Sequence, residues 1–166
     1  MITENVLDIL KNAILMEKKG KAFFESVAKQ TQNESVREIF ESMAEEELGH
    51  IKYLSEHFKN VRDNGKFMPV EKPEDEDEFS HEIITKKIRE EVEAASYEAS
   101  AINAAMLFEK QAVDFYTSQA EQVKSEEARE VLQWLASWEK THLKLMEDLD
   151  RELREKVWND NNFWPF

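Results

Sequence analysis

The chain has 166 residues, a formal net charge of −14 and no cysteine. That length suits one domain with room for a core, and only three glycines and three prolines favour long helices over sheet. The acidity disfavours nucleic acid and anionic membranes as partners, while the missing cysteines exclude disulfides, thiolate nucleophiles and cysteine-held zinc or iron–sulfur sites.

No apolar run approaches the roughly 18 residues that span a bilayer. Asp8, Lys11 and Asn12 interrupt any signal-peptide core, so a cytoplasmic protein is expected. A first helix is predicted from about Thr3 to Thr31, on the helical spacing of Val6, Leu7, Leu10, Ala13, Ile14, Phe24, Val27 and Ala28. Glu17 falls inside that apolar stripe. Gly20, one turn on, weakens the helix by about 1 kcal/mol against alanine but leaves space beside the stripe.

Asn33 is the expected N-cap of a second helix, Glu34 to about Phe58. Its inward face reads Val36, Phe40, Met43, Glu47, His50, Ile51, Leu54 and Phe58, with Glu45 and Glu46 expected in solvent. From Asn60 to about Phe79 the pattern lapses through Asn64-Gly65, Pro69, Pro73 and an acidic run, Glu74 to Glu78. A connection of this length allows a crossover that joins two helices without a tight reversal. Ser80 caps a segment with Ile83, Ile84, Ile88 and Val92, which either packs across the bundle or leads into the next helix.

A third long helix is predicted from about Ala95 to Val123, with Ile102, Ala105, Met106, Glu109, Ala112, Val113, Tyr116 and Ala120 inward. Ser125 caps a fourth, running to about Arg154, whose inward face includes Ala128, Leu135, Glu139, His142, Leu143, Met146 and Leu149. The expectation is an all-α antiparallel four-helix bundle over residues 1–157, with its crossover at 60–94 between the second and third long helices. The tail 158–166 carries Trp158, Phe163, Trp164 and Phe166, and it is expected to dock on the body or on a partner subunit.

The two halves repeat. Glu17 and Glu109, Glu47 and Glu139, and His50 and His142 are each separated by 92 residues. The same shift pairs Phe23 with Phe115, Phe24 with Tyr116, Ala28 with Ala120, Arg37 with Arg129, and the caps Asn33 and Ser125. The chain therefore reads as one helical hairpin used twice, about 3–58 and 95–154. A Glu-x-x-His spacing alone is a weak signal, since Glu78-Phe-Ser-His81 also satisfies it. That match has no repeat partner and interrupts no apolar stripe, so it is set aside. His57, also without a repeat partner, is expected at the surface near a helix end.

Four glutamates buried together repel one another and resist ionisation. Two divalent cations supply four positive charges and leave the imidazoles neutral. One Glu from each of two helices and Glu-x-x-His from each of the others is the ligand set of ferritin-like di-iron or di-manganese bundles. On that pattern the metal ligands are Glu17, Glu47, His50, Glu109, Glu139 and His142. Glu47 and Glu139 bridge at the redox centre, and Glu17/His50 and Glu109/His142 complete the ends. Such ligation suits two iron ions, with manganese or a mixed pair as alternatives, more than structural zinc. Tyr116, seven residues after Glu109, either hydrogen-bonds a ligand carboxylate or is a core aromatic with its hydroxyl at the surface.

The segments Leu15–Phe24, Glu45–His50, Leu107–Tyr116 and Glu139-Lys-Thr-His142 resemble the four helices of rubrerythrin-like proteins. The resemblance implies a ferritin-like fold, a di-iron centre, a homodimer, and peroxide reduction or iron oxidation, with peroxide, O2 or Fe(II) as substrate. Rubrerythrins usually carry a rubredoxin domain with four iron-binding cysteines, absent from this sequence, so an external electron donor is expected. Many also have a further glutamate three residues after the third-helix ligand, where this chain has Ala112. The competing expectations are iron storage or delivery without significant turnover, and a metal-stabilised scaffold.

Overall fold

Two tight reversals and one long crossover set the architecture. Helix α1 (Ile2–Gln30) turns through residues 31–33 into α2 (Glu34–Asn64), α3 (Glu78–Glu91) lies in the crossover, and α4 (Tyr97–Gln122) turns through 123–125 into α5 (Glu126–Asn159). The computed structural model describes the backbone of residues 2–70, 78–93 and 96–159, and side chains within 5–70, 85–93 and 96–159. The described residues are all-α, in the ferritin-like arrangement that the sequence predicts.

The repeat is visible in how the reversals are made. Asn33 accepts a hydrogen bond from the Val36 amide at 2.9 Å, and Ser125 accepts one from the Ala128 amide at 3.2 Å. Both satisfy amides that a helix start leaves without intrahelical partners. Arg37 then reaches back to donate to the Thr31 carbonyl at 3.0 Å, and Arg129 donates to the Val123 carbonyl at 3.1 Å. Each arginine ties the start of its helix to the end of the preceding one. The matched arginines thus lock two copies of the same turn.

The apolar residues form two clusters. One holds Phe24, Phe40, Ile102, Met146 and Leu149 near one end of the bundle, and the other holds Leu10, Leu54, Tyr116, Val131 and Leu135 near the opposite end. Between them in sequence, on every long helix, stand the buried acids and histidines. The inward stripes match the expected ones at most positions, although Leu7, Ile14, Ile51, Phe58, Met106 and Leu143 sit at the edge and are only partly buried.

Segment α3 takes the first of its two expected courses. It stops at Glu91 and packs on α5 and α2, with Ile88 and Val92 buried. An ion pair between Arg89 and Glu152 at 3.0 Å, and a hydrogen bond from Ser35 to Glu91 at 3.2 Å, hold it there. Helix α4 starts on Ser96, whose hydroxyl accepts from the Ala99 amide. Among the described residues no helix is long and apolar enough to cross a membrane. The side chains of Ser80 and His81, and tail residues 160–166, lie outside the described residues; Trp158, at the end of α5, is 64% exposed.

The expectation for His57 is overturned. His57 is fully buried at 0% exposure rather than at the surface, because α2 continues past Phe58 to Asn64 before Gly65, in the left-handed region at φ 71°, ends it. Position 57 is therefore well inside the helix, and the segment after it brings Phe67 over the imidazole, ring centroids 5.4 Å apart. Tyr53 covers it from one turn earlier at 4.4 Å. Neither ring nitrogen has a hydrogen-bond partner, and burial pushes the imidazole down to about 4.

That shift has a sign. A histidine that resists protonation when folded, but titrates near 6.5 when unfolded, weakens the protein as pH falls below 6.5. His57→Leu is expected to shift the stability difference between pH 7 and pH 5 by about 2 kcal/mol in favour of pH 5, read by urea unfolding at both pH values. An unchanged difference would contradict a buried neutral imidazole.

Candidate metal centre

Each long helix delivers its polar residues to the same depth. Glu17 comes from α1, Glu47 and His50 from α2, Glu109 from α4, and Glu139 and His142 from α5. Three-residue spacing on α2 and α5 puts each Glu and His on one face. All six are buried, none more than 5% exposed. Glu17, which falls inside an apolar stripe, is thus buried with the rest.

The donor atoms fall into two overlapping groups, Glu17/Glu47/His50/Glu139 and Glu47/Glu109/Glu139/His142, with the ligand atoms of each group within 4.8 Å of one another. Glu47 and Glu139 belong to both. His50 turns Nδ1 inward, 2.9 Å from Glu139, 3.3 Å from Glu17 and 3.7 Å from Glu47. His142 also turns Nδ1 inward, 3.4 Å from Glu139 and 3.5 Å from Glu109. Its ring lies roughly parallel to that of His50, with centroids 6.2 Å apart.

Without cations these groups adjust by sharing protons. Burial first, then the hydrogen bond with Glu17 and the charge of Glu139, pushes Glu47 up to about 10. Burial also pushes Glu109 up, to about 8, against the opposing pull of His142. Burial acts to raise Glu139 too, but His142 and His50 beside it outweigh that and hold it below the usual carboxylate range. Both imidazoles, although disfavoured as cations by burial, are held well above their ordinary value by the surrounding carboxylates.

Three neighbours shape the site. The hydroxyl of Tyr116, itself 0% exposed, donates to Glu17 Oε1, which selects the first of the two roles predicted for it. Gly20 gives the Phe108 ring room: a Cβ there would stand 2.6 Å from the ring edge and 3.6 Å from the Glu47 carboxyl carbon. The space inferred beside the stripe is thus filled from α4.

The third neighbour corrects an expectation. Glu46 is not a solvated surface acid; its side chain is 27% exposed, and its Oε2 lies 2.5 Å from His142 Nε2. The same oxygen accepts from Trp138 Nε1 at 3.0 Å. Hydrophobic patterning assigns Glu46 to the rim of its helix, but only the approach of α5 decides whether that rim meets water or a neighbour. The repeat gives no signal for it either, since Glu45/Ser137 and Leu48/Lys140 differ as much as Glu46/Trp138.

The donor set fits a pair of divalent cations. Glu47 Oε2, both oxygens of Glu109 and of Glu139, and His142 Nδ1 are buried without a hydrogen bond of good geometry. Buried polar atoms in that state are costly and normally have partners. Here they converge on one another, as ligands around cations do.

The family model described as Rubrerythrin matches residues 8–150. A solved structure similar to this chain, a hypothetical protein from Pyrococcus furiosus, is 23% identical and has a TM-score of 0.62, with 90% of each chain covered; that likeness carries the fold. No curated protein sequence matches the chain.

Proposed function

The chain belongs to the rubrerythrin family of di-iron carboxylate proteins, and from that premise we propose that it is a non-haem di-iron or di-manganese oxidoreductase. Its reaction is reduction of peroxide or O2, or oxidation of Fe(II), in oxidative-stress defence or iron handling. The observation that carries this reading is the pair of overlapping buried ligand groups that share Glu47 and Glu139.

In this reading Glu47 and Glu139 would be shared by the two ions, Glu17 and His50 would hold one, and Glu109 and His142 would hold the other. When bound, such ions exchange electrons with peroxide, O2 or free Fe(II). The protein's part is to present neutral imidazoles and ionised carboxylates, which requires that metal loading release the protons the empty site keeps. Tyr116 holds one oxygen of Glu17 and leaves the other toward His50. Next to this layer the rings of Phe23, Phe24, Phe40 and Phe108 pack on one another, mostly tilted or edge to face. These 166 residues hold no cysteine, so a cysteine-held iron site that passed electrons to the centre would lie outside them.

The test is anaerobic loading with Fe(II) followed by stopped-flow mixing with peroxide or O2. Fast oxidation is expected in the parent, and Glu47→Ala is expected to slow it by at least about 100-fold, more than the loss of an outer partner costs. Equal rates in parent and variant would sink the reading.

A further inference from the structure

The two halves of the centre obey the 92-residue repeat in their six ligands, but among the flanking pairs Glu46 faces Trp138, and Phe24 matches the ring of Tyr116 without its hydroxyl. Both differences act in the same direction. On the His142 side, the Glu46 carboxylate sits 2.5 Å from Nε2, on the nitrogen opposite the one that faces Glu109 and Glu139. A carboxylate there fixes the ring orientation, keeps the proton on Nε2 and makes Nδ1 a stronger donor.

On the His50 side the corresponding residue is Trp138. It meets that imidazole only edge to face, centroids 5.9 Å apart and planes at 85°. Trp134 lies against the same ring at 6.1 Å. Among the described residues no carboxylate is hydrogen-bonded to His50 Nε2.

The second pair adds to this. Tyr116 donates its hydroxyl to Glu17, drawing off part of that carboxylate's capacity as a ligand. Phe24, its counterpart, has no hydroxyl to offer Glu109, and both Glu109 oxygens remain without hydrogen bonds. The Glu109/His142 half therefore holds the more strongly donating ligands.

Resting on the two-metal reading, we propose that Glu46 is a positioning residue for His142 and that the two metal positions are unequal, the Glu109/His142 position filling first. The probe is Co(II), titrated anaerobically into the metal-free full-length protein and followed by calorimetry and visible absorption. The parent is expected to show two binding steps at least tenfold apart. Glu46→Ala should weaken the tighter step by about 10- to 100-fold and leave the weaker one in place. Glu46→Gln, which keeps an oxygen to accept from the imidazole N–H, should recover part of that loss.

Trp138→Glu, which supplies the missing carboxylate beside His50, should strengthen the weaker step. Glu17→Gln should remove the weaker step and spare the tighter one. Two equal steps in the parent, a parallel loss of both steps in Glu46→Ala, or loss of the tighter step in Glu17→Gln would each overturn the inference. Failure of the parent to bind Co(II) at all would overturn the two-metal reading beneath it, so the two failures are distinguishable. Should Glu46→Ala not fold, Glu46→Gln and Trp138→Glu decide the question through the same two constants.

Discussion

Glu47→Gln is expected to leave the metal-free protein at least as stable as the parent at pH 7 while reducing its affinity for divalent metal by more than about 100-fold. The two halves of this result have separate physical origins. Burial and the neighbouring acids push Glu47 up to about 10, so at neutral pH it is already an uncharged acid. An amide of the same shape removes no charge, and one of its oxygens has no hydrogen-bond partner to lose. In the proposed two-metal reading, however, Glu47 would balance cation charge as a carboxylate ligand, and an amide cannot become an anion.

The measurement is a pair of thermal melts, with chelator and with saturating Mn(II) or Fe(II). The parent should gain stability on metal addition, as mass action requires of any ligand that binds only the folded state, and the variant should gain little. A variant whose empty form melts far below the parent would show that Glu47 holds the bundle together by itself. An equal metal-dependent gain in both proteins would show that Glu47 is not a ligand.

The second large effect is on pH. Glu47 and Glu109, raised to about 10 and about 8, keep protons that the unfolded chain releases above about 4.3. Their contribution therefore falls as pH rises from the unfolded value toward the folded one. His50 and His142 are raised above their ordinary value, so their contribution is complete below about 6.5 and is lost as pH rises through the folded value. Both act in the same direction above neutrality.

The metal-free protein should consequently lose more than about 1.4 kcal/mol per pH unit between pH 7 and 8, the slope that one excess bound proton gives. With metal bound, protons have already left the ligands, and the metal-dependent part of stability should rise over the same range. Urea unfolding with and without chelator at pH 6.5, 7.5 and 8.5 reads both slopes. A flat profile for the empty protein would show that the buried cluster does not store protons.

Much of the fold was legible because its signals are local. Asn33 and Ser125 mark the reversals through their own side chains, and the spacing of Val36, Phe40, Met43 and Leu54 declares an inward face without reference to any other helix. The site was legible for a related reason. A charged residue in an apolar stripe is anomalous wherever it occurs, and the repeat made six such anomalies coincide. Element ends were less legible: α2 runs to Asn64 and α5 to Asn159, where Val61 still finds cover and Lys156 still reaches the Val92 carbonyl.

What the sequence by itself determined was the all-α bundle, its duplication, and the six residues that meet at its centre. Each follows from period, capping and a single shift along the chain. Only the tertiary structure decided what surrounds that centre: that Tyr116 points its hydroxyl at Glu17, that Glu46 turns from the rim toward His142, that Phe108 lies over Gly20, and that Phe67 closes over His57. These are contacts between elements far apart in the chain. Helical periodicity states which side of a helix faces inward, but the neighbour met at the edge of that side depends on how the helices lie against one another.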